Sequence, residues 1–443
     1  MLFGERRAIE RGVEKREPTQ MDDLFPRVIV TGSSGCLGRR VVRYFKSREG
    51  QQRLVAALLI GSASSFSSSS SRPATTVEVD IVGADRTPSE TTTHLGDITD
   101  RCFVNALFGD PSSVTHDGFD GAVRGSGASA ERERRPRVIA VVHAASLHKP
   151  HVATHSRQAF IDVNITGTLN LLEATVSCRN ATAAVVVNDL REHGKPRSVV
   201  FIFISTTSIY GDALSPPKDQ PAVWIDESVV PIPKNIYGVT KQSAEGLCQL
   251  FHRNEQLPVV ILRTSRFFPE TDDDPARQAA YGDATLKFNE MLFRRVHVDD
   301  IVEAVSASCE RVSRSSPRPY FGLFVISAVC PFTTADLSSL RGQAAAVIRR
   351  LFPDVDDVLT GCRSVSSTTT GKGRVRRALR EDMLWGDEHP DEKCDHGDER
   401  WILIADVDRV YDSRHAVEEL QWKPRHSFAS VMDVLRAASM MQA

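Results

Sequence analysis

Among the eight cysteines of this 443-residue chain no two form a CxxC pair. That removes the spacing of zinc ribbons and disulfide scaffolds, and it is the cysteine usage of a reducing compartment. No apolar run approaches the roughly 18–20 residues that span a bilayer. The longest, "LVAALLIG" and "VVFIFIS", have the length of buried strands or helices. Charge of one sign is scarce too: 55 Lys and Arg against 57 Asp and Glu leave a formal net charge of −2. That balance offers nucleic acid or an anionic membrane little to hold. The first residues, "MLFGERRAIERGVEKREP", lack the apolar core of a secretory signal and carry too many glutamates for a transit peptide. The expectation is a cytoplasmic enzyme with a small-molecule substrate, no nucleic acid and no membrane.

What the chain does have is a change of texture along its length. Four stretches hold too little apolar surface to offset the entropy of ordering them. They are the charged arm at 1–25, the serine-rich "GSASSFSSSSSRPATT" at 61–76, the glycine- and charge-rich 109–136, and 363–400, where "SVSSTTTGKGRVRR" passes into "GDEHPDEKCDHGDER". All four read as surface loops or disorder. Between them "RVIVTG", "VEVDIVGAD", "RVIAVVHAAS", "SVVFIFIS" and "PVVILRTS" read as strands. "GRRVVRYFKSR", "GTLNLLEATVSC" and "GVTKQSAEGLCQLFHRN" read as helices.

This alternation predicts βαβ units and a parallel sheet covered on both faces. The expected class is α/β, a doubly wound parallel-sheet Rossmann fold over 26–264 with inserted loops near 61–76 and 109–136. Past 265 the alternation loosens. A smaller C-terminal α/β lobe over 265–443 is expected mainly to bind substrate, with sheet elements near 296–330 and a low-complexity insertion near 363–400.

The first strand runs into "VIVTGSSGCLGRR", which sets Gly32, Gly35 and Gly38 three apart at a helix entrance. Glycine lets the backbone turn tightly and approach a pyrophosphate, which then rests on free N–H groups at the positive helix end. Ser34, Cys36 and Leu37 belong to the same turn and are expected to line the cofactor. Ribose recognition needs a carboxylate at the end of the second strand, and "VEVDIVGADR" supplies Asp85. A carboxylate repels a 2′-phosphate, so NAD is preferred to NADP, although Arg86 beside it is placed to hold one. The gap from Gly38 to Asp85 exceeds the usual ~20 residues, so the serine-rich tract has to loop out between them.

"NIYGVTKQSAEGL" at 235–247 puts Tyr237 and Lys241 one helical turn apart. A phenol with an ordinary pKa near 10 is a poor base at neutral pH. A lysine on the same helical face, joined by an oxidised nicotinamide, stabilises the phenolate and lowers that pKa. Tyr237 can then take a proton from a substrate hydroxyl while hydride leaves the same carbon.

The GxxGxxG spacing after a threonine resembles the short-chain dehydrogenase/reductase superfamily, and the chain length its extended branch. "LHKPHVATHSRQ", "PKNIYGVTK" and "LRTSRFFPE" resemble bacterial members of the NAD-dependent epimerase/dehydratase family, UDP-glucose 4-epimerase-like. "RRVHVDDIVEAV" and "DVDRVYDSRHAVEELQWKPRHSF" look like that family's later segments, so the resemblance runs from about Arg27 to the C-terminus.

The resemblance implies that Asp97 and Ile98 of "HLGDITD" cradle the adenine. Ala144 and Ala145, between His143 and Ser146 of "VVHAAS", leave room for the dinucleotide. Asn164 braces the central helix. Thr206 in "FISTTSIYG" is the hydroxyl that binds the substrate oxygen, with Ser205 or Thr207 as alternative donors. It further implies a homodimer paired through the helix that carries Tyr237.

The pattern also departs from the family. The Asp–Glu pair of sugar-nucleotide 4,6-dehydratases is replaced by Thr207 and Ser208, which argues against that dehydration. The asparagine that epimerases carry after "RYF" becomes Arg266, and their pocket lysine falls on His148, beside Lys149. These residues, with Thr207, are the expected substrate contacts. Arg294, Arg295 and Lys234 are further cationic candidates for a phosphate or carboxylate.

His148, His151 and His155 lack a carboxylate at ligand spacing, so no metal is expected. The leading reading is an NAD-dependent epimerase-like oxidoreductase on a nucleotide sugar or phosphorylated sugar, through a keto intermediate. The alternative is a net NAD(P)-dependent dehydrogenase or reductase on another carbonyl compound or alcohol. A non-catalytic dinucleotide-binding regulator stands behind both.

Overall fold

The structure, a computed structural model, describes residues 24–60, 78–109, 135–187, 199–268, 283–314, 318–366 and 402–440. Residues 1–23 of the N-terminal arm, the serine-rich tract, and most of the segments at 109–136 and 363–400 lie outside them. The described strands are β1 (Leu24–Thr31), β2 (Asp80–Asp85), β3 (His94–Leu95), β4 (Arg135–His143), β5 (Val200–Thr206), β6 (Val223–Ile225), β7 (Val259–Thr264), β8 (Arg266–Phe268), β9 (Arg295–His297), β10 (Phe321–Ile326) and β11 (Arg409–Tyr411). Seven form one sheet in the order β10-β7-β5-β4-β1-β2-β3, with every pairing parallel.

The strands explain themselves. Along β1, Val28 and Val30 enter one core cluster while Ile29 enters another on the opposite face. Likewise Ile202 and Ile204 of β5 face one way, and Phe201 and Phe203 the other. Side chains alternate with period two, so an unbroken β-branched or aromatic run is stable only when both faces are covered. Burying each such side chain contributes about 1.5–3 kcal/mol.

The covers on one face are α1 (Cys36–Lys46) and the helix Val298–Arg314. On the other they are α3 (Arg101–Leu107), α5 (Gly167–Val187) and α6 (Ile236–Glu255), with α2 (Arg48–Leu54) beside α1 and α4 (Arg157–Ile161) ahead of α5. This is the doubly wound Rossmann-type sheet. Strand order reverses between β1 and β4, and such a switch point opens a crevice at the carboxyl ends of the strands.

A separate cluster, from Ala222 and Phe268 through Phe288–Phe293 and Leu340–Leu359 to Val431–Leu435, forms the core beyond that edge. Two small parallel pairings, β8 with β9 and β11 with β6, belong to this side. Some segment boundaries differ from expectation. Leu24 and Phe25 of the expected arm pair with Arg135 and Pro136, extending β1 and β4 backwards by ladder bonds that composition does not reveal. "VAALLI" at 55–60 continues α2 as a π-helix. Among the described residues no helix is long and apolar enough to cross a membrane.

Candidate active site

Thr31, His143, Thr206 and Thr264 are the last residues of β1, β4, β5 and β7, and so share the carboxyl edge of the sheet. Past Thr31 the chain turns sharply. Gly32 has φ +74°, and a Cβ there would stand 2.6 Å from the Ala145 nitrogen. Gly38 lies in the first turn of α1, and its Cβ would fall 2.0 Å from the Gly32 carbonyl oxygen. The two glycines therefore let helix, turn and the Ala144–Ala145 loop close on one another. Gly35 differs. It is exposed, and a Cβ there would meet only Gly32 O, at 3.4 Å. The outer side of the turn is thus open at the N-terminus of α1, which is the shape and polarity that suit a pyrophosphate.

Asp85 ends β2 beside this turn. Its carboxylate accepts from the Ser34 N–H at 3.0 Å and from the Thr87 N–H at 2.9 Å. Arg86 is largely exposed and pairs with Asp97 at 3.4 Å, while Asp97 also accepts from the Thr99 N–H at 2.9 Å. Ile98 is buried, and it packs where a Cβ on Gly167 would collide with it. Cys36 and Ser34 are half-buried and Leu37 is buried in the core under α1.

His143 is almost fully buried. Its Nδ1 lies 2.8 Å from the Thr31 hydroxyl and its Nε2 2.9 Å from that of Thr168. Burial, with Lys241 nearby, holds it well below the ordinary imidazole value. Its ring is therefore a neutral core group, while the backbone after it leads into the half-buried Ala144, Ala145 and Ser146.

Asn164 is buried as well. Its side chain accepts from the Leu147 N–H at 2.8 Å, and donates to the Leu147 carbonyl and the Thr240 hydroxyl, both at 3.0 Å. It thereby ties the loop after β4 to α6 between Tyr237 and Lys241.

Asn235 caps α6 by accepting from the Gly238 N–H at 3.0 Å. Tyr237 and Lys241 follow in the first turns and are 8% and 2% exposed, so neither is a surface residue. The Lys241 ammonium lies 4.0 Å from the centroid of the Phe203 ring on β5. Burial lowers its pKa to about 7, against the opposing effects of Cys248 and Glu245.

A Cβ on Gly238 would stand 2.9 Å from the Ser208 carbonyl oxygen. The helix start carrying Tyr237 thus presses on the segment that directly follows Thr206 and Thr207. Thr206 ends β5, and its hydroxyl accepts from the Ser208 N–H at 3.1 Å. Ser205 has another engagement: its hydroxyl donates to Glu245 at 2.5 Å. Thr207 is buried.

The expected substrate contacts are spread around this edge. His148 is half-buried and Lys149 exposed. The rings of His148, His151 and His155 follow one another at 4.3 and 5.0 Å. Among the described residues no group of three or more His, Cys, Asp or Glu could hold a metal ion. Arg266 opens β8 two residues after Thr264, whose partner in the sheet is Thr206.

Arg266 is itself in register with Arg295. Arg295 and Arg294 both pair with the fully buried Glu290, whose carboxyl they hold down to about 2. Burial and the guanidiniums of Arg266 and Arg294 push Arg295 below its own ordinary value. Lys234 pairs with Asp212 at 3.1 Å. Sequence reasoning missed the buried Glu245 and Arg263. No local signal marks either residue, since each charge is buried only by virtue of its partner 18 positions away.

Residues 28–321 match the family described as "NAD dependent epimerase/dehydratase family". The chain is 30% identical over 124 residues to GDP-6-deoxy-D-mannose reductase of Pseudomonas aeruginosa, covering 28% of this chain and 34% of the relative. It is 31% identical over 139 residues to dTDP-glucose 4,6-dehydratase of Shigella flexneri, covering 30% of this chain and 36% of the relative. These matches span about a third of each relative's length. Among solved structures it is similar to UDP-glucuronic acid 4-epimerase from Bacillus cereus in complex with UDP-glucuronic acid and NAD. There the TM-score is 0.42 and the identity 16%, over 94% of this chain and 100% of that one.

Proposed function

We propose, since the chain belongs to the NAD dependent epimerase/dehydratase family, that it is an NAD-dependent epimerase-like oxidoreductase acting on a nucleotide sugar or phosphorylated sugar. The observation that carries this reading is the burial of Tyr237 and Lys241 at the start of α6, against the segment that follows Thr206. An exposed pair would have no such setting.

In this reading Gly32, Gly35 and Gly38 admit the pyrophosphate to the N-terminus of α1, and Asp85 accepts from the adenosine ribose hydroxyls. The pairing of Arg86 with Asp97 leaves less positive charge for a 2′-phosphate and supports NAD over NADP. Bound NAD supplies a hydride acceptor that can return what it takes. Thr206 orients the substrate hydroxyl toward Tyr237, and Tyr237 removes its proton as hydride leaves the carbon. Lys241 stabilises the phenolate by its charge. The keto sugar turns over in the pocket before reduction from its other face.

Arg266, His148, Lys149 and Thr207 are the proposed substrate contacts. A homodimer paired through α6 agrees with the exposure of Val239 and Leu250 on that helix and Ile161 on α4.

The test is to denature the purified protein and assay released NAD, then screen UDP-, GDP- and dTDP-sugars for epimerisation. Stoichiometric NAD with epimerisation is expected. Accumulation of NADH with substrate would replace this reading by net dehydrogenation. Activity unchanged in Tyr237→Phe would overturn the catalytic assignment.

A further inference from the structure

One buried charged network has no part in the steps above. Glu245 and Arg263 are 3% and 5% exposed. Arg263 Nη2 donates to Glu245 Oε2 at 2.8 Å, and its Nε reaches the two carboxylate oxygens at 3.1 and 3.3 Å. Its Nη1 donates to the Tyr210 hydroxyl at 3.1 Å, and Tyr210 donates onward to the Asp226 carbonyl at 2.9 Å. The Ser205 hydroxyl completes the set on Glu245 Oε1. A buried ion pair costs desolvation and is often no more stabilising than apolar packing of the same shape. What it fixes in place therefore matters more than its contribution to stability.

The elements that meet here are those of the proposed catalytic set. Ser205 precedes Thr206 on β5 and is in register with Arg263 on β7. Glu245 lies one helical turn past Lys241 and two past Tyr237 on α6. Residues four apart on a helix are neighbours, with Cβ atoms about 5–6 Å from one another.

Lys241 is faced by Glu245 and Cys248 from its own helix, by His143 from β4 and by the Phe203 ring from β5. Burial pushes the Cys248 thiol up, so it is neutral at physiological pH, and His143 is neutral too. Glu245 is left as the negative charge on Lys241. We propose that Glu245 is a positioning residue of the active site, which pins α6 to the Thr206 strand and supplies the countercharge that favours the ammonium form of Lys241. The inference rests on the proposed role of Lys241.

The experiment uses the full chain with 13Cε-labelled lysine, following the NMR titration of Lys241, assigned by its absence in Lys241→Met. Thermal melts and NAD titrations are run on the same samples. In Glu245→Gln the Lys241 midpoint should fall by about one pH unit, the low end of the shift that a neighbouring opposite charge produces. Glu245→Asp should restore most of it.

Arg263→Met removes the competing cation and should move the midpoint upward, so the test survives if Glu245→Gln fails to fold. A purely structural role would change melting and leave the midpoint in place. An unmoved midpoint in the folded variants overturns the proposal. Wild-type protein that binds no NAD would instead overturn the proposed function, leaving any midpoint shift standing.

Discussion

Replacing Lys241 by methionine keeps the length and shape of the side chain and removes its charge. Burial lowers the lysine from 10.5 to about 7, while the unfolded chain leaves it at its ordinary value. At about 1.36 kcal/mol per pKa unit, this gap makes the folded state carry a penalty of roughly 5 kcal/mol when the ammonium must stay charged. At pH 7, with half the population neutral, the penalty is about 4 kcal/mol.

The sign follows from proton counting. Between pH 7 and 10.5 the unfolded chain holds about one more proton than the folded one, so wild-type stability rises with pH in that window. Below pH 7 the penalty is complete. Lys241→Met should therefore be more stable than wild type by about 4 kcal/mol at pH 7, a large share of a typical total of about 5–15 kcal/mol. Its advantage should shrink by about 1.4 kcal/mol per pH unit above pH 7. Urea denaturation at pH 6, 7, 8 and 9 measures it, with the catalytic assay run alongside. A variant no more stable than wild type at pH 6, or an advantage that does not change with pH, would refute the reasoning. Gained stability with lost activity would place Lys241 among groups held for function at a cost to the fold.

Three further outcomes are expected. Gly38→Ala puts a Cβ 2.0 Å from the Gly32 carbonyl, so α1 must shift off the turn; a loss of roughly 1–3 kcal/mol and weakened NAD binding should appear in melts and calorimetry. Asp85→Asn removes the charge opposed to a 2′-phosphate, so the NAD-to-NADP affinity ratio should fall, read by titrating both dinucleotides. Glu290→Gln should destabilise the protein by about 3 kcal/mol at neutral pH, since Arg295 and Arg294 hold this buried carboxyl at about 2. Its stability contribution is present above the unfolded value of 4.5 and lost as pH falls toward 2, so the two unfolding curves should converge there.

The sheet was legible because strands buried on both faces have no polar positions to blur them. "VVFIFIS" reads as such a strand, and Phe201 and Ile202 duly enter opposite clusters. Tyr237 and Lys241 were legible because one helical turn separates them. The assignment among Ser205, Thr206 and Thr207 was not, since neighbouring strand residues differ only in face; the bond from Ser205 to Glu245 separates that residue from the other two. The Glu245–Arg263 pair was illegible for a different reason. Its members are 18 positions apart on different elements, and nothing local marks a charge as buried until its partner is known. The meeting of Arg266 and Arg295 depends in the same way on a strand pairing across a long stretch of chain.

The environment of His143 settles the direction of its hydrogens. Thr168 spends its single hydroxyl hydrogen on the Asn164 carbonyl at 2.7 Å, so it can only accept from the imidazole. The hydrogen must then sit on Nε2, leaving Nδ1 to accept from the Thr31 hydroxyl. Thr31 in turn receives the Ala145 N–H at 3.3 Å. Every donor from Ala145 to Asn164 points the same way, as in a file of dipoles laid head to tail. The file ends in a backbone N–H that can only donate and a backbone carbonyl that can only accept, so the loop after β4 and the start of α5 are locked to a single tautomer of one buried ring.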